Sequence, residues 1–196
     1  MPEKTVLEVC CDSYESLMTA EKAGADRVEL CSCLMVGGLS PDTALLEMIR
    51  EKSSLPVRCL IRPRFGDFLY TEDEIELMAR QIINLKAAGA SGFVIGCLNP
   101  QGELNIKAME KLISAAGYSG LTLHRCIDVA RDGIETATVA ARLGIDTILT
   151  SGQAASCWEG REFIEKLLNE KAAGRNHAGS RSKCRSHKKN AGNSAP

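Results

Sequence analysis

The sequence has few aromatic residues, almost no histidine and no long apolar run. Aromatics make up 4% of the 196 residues, tryptophan occurs once and there are three histidines. No apolar stretch approaches the roughly 20 residues of a membrane-spanning helix, so no membrane partner is expected. The opening MPEKTVLEV has neither an extended apolar segment nor a small-residue cleavage site, and no secretory signal is read there. There is no Cys-x-x-Cys pair with zinc spacing. Positive charge is scarce in the body of the chain. Residues 1–169 carry 17 Lys and Arg against 24 Asp and Glu, a balance that offers nothing to a nucleic-acid backbone.

Cysteine, by contrast, is plentiful, with nine residues. Cys10, Cys31, Cys59, Cys97 and Cys126 fall inside predicted strands, and Cys11 and Cys33 stand beside them. In a chain without an export signal this placement points to reduced thiols rather than a disulfide framework, and to a cytoplasmic location.

A two-part unit recurs six times between Val6 and about Leu168. The strands read VLEVCCD, DRVELCS, LPVRCLI, GFVIGCL, LTLHRCI and DTILTSG, separated by helical stretches such as SYESLMTAEKAGA and EIELMARQIINLKAAGA. Strands alternating with helices require a parallel sheet with covered faces. The closed form is the (β/α)₈ barrel, whose reactive groups sit at the C-terminal ends of the strands. Such barrels typically need about 250 residues, with about 200 still in range. The expected fold is therefore α/β: an incomplete TIM-type barrel of about six β/α units, with the last strands missing. The barrel domain spans residues 1–170. Residues 171–196 read as a disordered basic tail without a strand. From Glu170 onward there are seven basic residues and one acid.

Local signals punctuate the helices. Ser40-Pro41 suggests an N-cap followed by proline at the first helical position. Thr71 opens a capping box that closes on Glu74. Gly24, Gly89 and Gly144 read as left-handed helix ends that lead straight into strands. Period-two alternation sorts the strand residues into two faces. Leu7, Val9 and Cys11 oppose Glu8, Cys10 and Asp12. Val28 and Leu30 oppose Arg27, Glu29 and Cys31. Val57, Cys59 and Ile61 oppose Arg58, Leu60 and Arg62, and Thr122, His124 and Cys126 oppose Leu123, Arg125 and Ile127. The apolar sets should meet helices and the polar sets the barrel interior. There Glu8, Glu29 and Arg62 are expected in one ion network, because buried charges are costly unless paired.

The segments LEVCCDS, GADRVELCS with MVGGLSPD, IRPRFGDFLYTEDE, MEKLISAAG, LTLHRCID and LTSGQAAS, in this order and spacing, resemble the CutC family over about residues 6 to 170. The resemblance implies a TIM-type barrel in the cytoplasm and a role in copper homeostasis. Its signature positions fall on Glu8, Cys10, Glu29, Cys31, Gly37, Gly38, Arg62, Arg64, Asp67, Tyr70, His124, Arg125, Asp128, Thr150, Ser151 and Gly152. The family continues with a seventh strand reading like IMAGAGVNAENI and then an eighth. Dropping one nucleotide in the Asn176 codon lets the tail spell R-IMQGAGVNAEAIKKMLETAL instead, so the tail reads as a frameshifted or misassembled product.

Three chemistries compete for the strand ends. Cys10 and Cys31 share parity on neighbouring strands, and soft thiolates select Cu(I); equally, free cysteine packs as a small hydrophobe. Glu8, Glu29, His124 and Asp128 form a candidate acid–base set, with a structural salt network as the alternative. Arg62, Arg64, Thr150 and Ser151 offer donors to a carboxylate or phosphate, or else serve a turn and a cap. The segment Arg64–Tyr70 is aromatic-rich in an aromatic-poor chain and suits either a lid over the strand ends or a hydrophobic cover packed on a neighbour. Trp158 reads as a core or subunit contact, which leaves homo-oligomer formation open. The expected ligands are a copper ion or a small anionic metabolite. The functional expectations are a cytosolic Cu(I)-binding copper homeostasis protein, a TIM-barrel isomerase or lyase acting on such an anion, or an inactive truncated product.

Overall fold

Apolar tetrads separated by amphipathic helices fold as their alternation requires. The structure, a computed structural model, describes residues 5–172 and 181–184. The elements are β1 (Glu8–Cys11), α1 (Tyr14–Lys22), β2 (Arg27–Leu30), α2 (Thr43–Arg50), β3 (Val57–Leu60), α3 (Glu72–Ala87), β4 (Gly92–Ile95), α4 (Ile106–Ala116), β5 (Gly120–Leu123), α5 (Gly133–Arg142), β6 (Thr147–Thr150), α6 (Arg161–Ala172) and β7 (Arg181–Cys184). The strands pair in parallel in chain order. Each crossover carries the chain to the adjacent strand, the winding of a TIM-type barrel. Among the described residues β1 pairs only with β2 and β7 only with β6, so the sheet is an open arc.

The six expected β/α units are present. The expectation that the tail holds no strand is corrected at Arg181–Cys184, which pairs with Thr147–Thr150 of β6. An open edge presents unpaired N–H and C=O groups, and backbone alone is enough to join it. Apart from this strand and the last residues of α6, the tail lies outside the described residues.

Side-chain parity decides the two faces. Val28, Leu30, Val57, Cys59 and Ile61 pack outward into the main core, where Leu17, Leu46, Met78 and Leu112 of the helices meet them. Burial of each such side chain contributes about 1.5–3 kcal/mol. The inner face holds a second, small cluster of Cys31, Leu60 and Val94, bordered by Cys10 and Leu34. Glu29, Arg58, Arg62, Thr122, His124 and Thr147 are also buried. Strand five departs from the alternation. It stops at Leu123, His124 caps a single 3-10 turn over Arg125–Val129, and Cys126 and Ile127 both enter the outer core.

The Thr71–Glu74 capping box forms, and Gly24, Gly89 and Gly144 adopt positive φ just past their helices. The cap expected at Ser40 is corrected to Asp42, whose side chain accepts from the Ala44 N–H at 2.7 Å. Ser40 is engaged elsewhere: its hydroxyl accepts from the Arg62 N–H and donates to Gln81 Oε1, both at 2.9 Å. At the N-terminal end of the strands, Arg58 donates to the hydroxyls of Thr122 and Thr147 and pairs with Asp146 at 2.9 Å. That crossing passes over Gly120, where a Cβ would lie 2.5 Å from Arg58 Nη2.

Candidate functional site

The strand ends gather the candidate residues into separate groups. The first is a sulfur pair. Glu29 lies opposite Cys10 in the register of β1 and β2, and Cys31 directly follows the end of β2. The Cys10 and Cys31 Sγ atoms stand 3.8 Å apart, and Cys10 Sγ lies 3.6 Å from Glu29 Oε1. Cys31 is fully buried and its thiol also reaches the Cys11 carbonyl at 3.5 Å. The hydrogen bond to Cys10, followed by burial, drives the Cys31 thiol far above its ordinary range, so it keeps its proton at neutral pH.

The second group is built round Phe68. Arg62 lies on the inner face just past β3. Its Nη1 donates to the carbonyls of Val36 and Gly38 at 3.1 Å each, and its Nη2 to that of Gly66 at 2.9 Å. The single ion network expected for Glu8, Glu29 and Arg62 is therefore corrected. Glu8 pairs with Arg27, Glu29 meets Cys10, and Arg62 binds backbone carbonyls. The reason is register: Arg27 is the direct cross-strand neighbour of Glu8. The Arg62 guanidinium lies over the Phe68 ring at 5.2 Å, and that ring lies against His124 at 4.7 Å between centroids. The His124 Nδ1 accepts the Cys126 N–H at 3.1 Å, which leaves the proton on Nε2. Burial, then the neighbouring Arg62 cation, lower its pKa to about 3, so the imidazole is neutral.

The third group is centred on Asp128. Its carboxylate accepts from Thr150 Oγ1, from Ser151 N at 3.0 Å and Oγ at 3.1 Å, from Gln153 N at 3.1 Å and from Arg125 Nε at 2.8 Å. Burial acts to raise this carboxyl, but the hydrogen bonds led by Thr150 outweigh it and hold it below its ordinary range. The Thr150 hydroxyl and the Ser151 N–H thus point at Asp128, while the Ser151 hydroxyl is shared with the Ala154 carbonyl at 2.6 Å. Arg64 lies in the outer loop, paired with Asp67 at 3.0 Å and Glu74 at 2.6 Å. The four acid–base candidates Glu8, Glu29, His124 and Asp128 each have their own contacts. A separate cavity of about 190 Å³ on the helical layer, lined by Leu104, Ile106, Glu135 and Val139 among others, includes none of the candidates.

Comparisons with known proteins assign the family and the fold. A model of the CutC family matches residues 5–180. The chain belongs to the CutC family. It is 41% identical over 164 residues to the family protein CutC of Pasteurella multocida, an alignment covering 84% of this chain and 67% of that one. Identity to the Xanthomonas campestris pv. campestris relative is 44% over 164 residues, covering 84% and 68%. The chain therefore spans about two thirds of the length of these relatives. A solved structure, that of a candidate copper homeostasis protein CutC from Streptococcus agalactiae, shares the fold with a TM-score of 0.79 at 22% identity, covering 91% of this chain and 98% of that one.

Within this CutC family chain, sequence reasoning gave no task to Arg58, to Phe68 or to the Tyr70 hydroxyl. One usable signal was Gly96 in the segment GFVIGCL, because a glycine in a strand often marks a close approach. A Cβ there would lie 2.5 Å from both His124 Cε1 and Cys126 Sγ. Among the described residues no helix is long and apolar enough to cross a membrane.

Proposed function

We propose that this chain is a cytosolic copper homeostasis protein that carries Cu(I) as cargo between Cys10 and Cys31. The observation that carries this reading is the 3.8 Å approach of two thiols on neighbouring strand ends, beside a carboxylate. Thiolates are the soft donors that select Cu(I), an ion content with a low coordination number. Among the described residues no group of three or more His, Cys, Asp and Glu side chains is placed to hold a metal, so the donor set suits a two-ligand ion and not a four-ligand zinc site. The eight cysteines from Cys10 to Cys157 are free, which suits a reducing compartment. Because ligation requires thiolates, Cu(I) uptake displaces protons, the Cys31 proton included. Affinity accordingly rises with pH, by up to about 100-fold per unit if both thiols release a proton.

The test is Cu(I) titration against a chromogenic competing chelator, for the full chain and its variants. The parent protein takes up one equivalent. Loss of an outer-shell partner of a metal costs about 10–100-fold, so loss of a ligand in Cys10→Ser or Cys31→Ser costs at least about 100-fold. Glu29→Gln removes only an outer-shell neighbour of Cys10, so it costs about tenfold, less than the loss of either thiol. Parental affinity in Cys10→Ser overturns the reading.

A further inference from the structure

We propose that Arg62, Tyr70 and His124 form a binding site for a small oxyanion, a carboxylate or a phosphate, distinct from the Cys10–Cys31 pair. Three observations converge. First, Arg62 is a buried cation, 8% exposed, and forms no ion pair with any described residue. Its hydrogen bonds go to three neutral carbonyls, which use three of the five guanidinium N–H groups. Carbonyl dipoles and the Phe68 face ease the desolvation of the guanidinium, but they supply no counter-charge.

Second, the buried polar atoms without a partner include Arg62 Nε, Tyr70 Oη and His124 Nε2, and all three can donate. The His124 tautomer is fixed as Nε2–H by the Cys126 N–H on its other nitrogen, and the ring is 4% exposed. Burial, the leading influence on Tyr70, raises its hydroxyl pKa and keeps it a donor. Native proteins pair nearly all buried polar groups, and the Arg62 cation acts on both the Tyr70 hydroxyl and the His124 imidazole, so the three orphaned donors ask for a shared acceptor. Water can accept from each of them, but water cannot neutralise the guanidinium.

Third, the groups are held in place. Phe68 touches both Arg62 and His124. The guanidinium of Arg64 covers the Tyr70 ring at 5.2 Å, and the absence of a side chain at Gly96 admits the His124 ring. Arg62 also joins the loop of Val36 and Gly38 to the loop of Gly66, which fixes the guanidinium in place. Sequence spacing had grouped Arg62 with Arg64, Thr150 and Ser151. In the folded chain Arg64 is committed to Asp67 and Glu74, and Thr150 and Ser151 to Asp128.

Isothermal titration calorimetry of the full chain, kept copper-free with a chelator, tests this with inorganic phosphate in one arm and malonate in the other, at fixed ionic strength. Saturable one-site binding of either probe is expected. Phosphate alone assigns the phosphoryl class, malonate alone the carboxylate class, and both the shared oxyanion chemistry. Tyr70→Phe removes a single hydroxyl and weakens the bound probe about tenfold, the value of one hydrogen bond to a charged group. If that variant does not fold, the parent protein still decides through its His124 side-chain NMR signals, which shift on titration only if the anion reaches Nε2. Absence of saturable binding in both arms leaves only water at the donors and overturns the proposal. So does unchanged affinity in folded Tyr70→Phe, or an unmoved His124 signal. Neither copper nor the thiols enter this measurement, so its failure leaves the Cu(I) reading untouched.

Discussion

His124 is where acid should first be felt. The folded chain holds this imidazole at a pKa of about 3 against 6.5 for the free group, first through burial and then through the Arg62 cation. The unfolded chain therefore binds a proton that the native chain refuses whenever the pH lies between these values. Stability from this group is complete above pH 6.5 and is lost as pH falls, at about 1.4 kcal/mol per unit. Between pH 6.5 and 5 the loss is about 2 kcal/mol. Urea unfolding at pH 7 and pH 5 should show it, and His124→Gln, which cannot titrate, should flatten the difference. An unaltered pH profile in that variant contradicts the assignment. Odd–even alternation, which needs only the strand boundaries, pointed to Cys10 and Glu29 on facing strands with Cys31 one step beyond, whereas His124 lies past β5 at a 3-10 turn that alternation does not describe. The orphaned state of its Nε2 was not legible in the sequence either. It depends on Phe68 and Tyr70, which arrive from a loop whose path no periodicity encodes.

Between elements, Asp128 is the strongest tie. It lies past the end of β5 and gathers donors from Thr150, Ser151 and Gln153 at the end of β6, together with Arg125 of its own turn. Asp128→Ala leaves those donors facing a void, and a cost of about 3 kcal/mol at pH 7 is expected, read from denaturant midpoints. The pKa of this carboxyl is depressed, so its stabilisation is present above the ordinary carboxylate range near pH 4 and fades below it. The gap between parent and variant should therefore close on acidification below about pH 4. A gap that stays constant to pH 2.5 would show that the carboxylate charge is irrelevant. Sequence spacing put Asp128, Thr150 and Ser151 at strand ends but gave them separate tasks, because strand parity says nothing about a 3-10 turn. The helix starts show the same boundary. Thr71 and Glu74 cap as their spacing dictates, since the box is local. At Ser40 the proline that follows favours extended backbone, so the helix begins later, at Thr43 with Asp42 as its cap, and the serine hydroxyl is drawn to Arg62 and Gln81.

At the scale of the molecule, the alternation of strands and helices was enough to fix an α/β barrel arc, because each unit needs only its neighbours to bury its apolar face. The tail was read as strandless since RSKC has no apolar alternation. It pairs with β6 regardless, as backbone groups can satisfy an edge without side-chain help. What the arc lacks among the described residues is a partner for the outer edges of β1 and β7. Unpaired edges of a sheet recruit other chains, so concentration-dependent association is expected for the 196-residue protein, measured as a rising mass in light scattering behind size-exclusion chromatography. Salt should not abolish it, because the contact is made by main-chain hydrogen bonds rather than by exposed charge. Replacing the residues after Arg175 with the shifted-frame string IMQGAGVNAEAIKKMLETAL supplies an apolar strand and an amphipathic helix at that edge. The exchanged chain should associate less and unfold at a higher temperature. If instead the 196-residue chain stays monomeric across the concentration range and melts in one cooperative step, its edges are already protected, and the exchange should bring no gain.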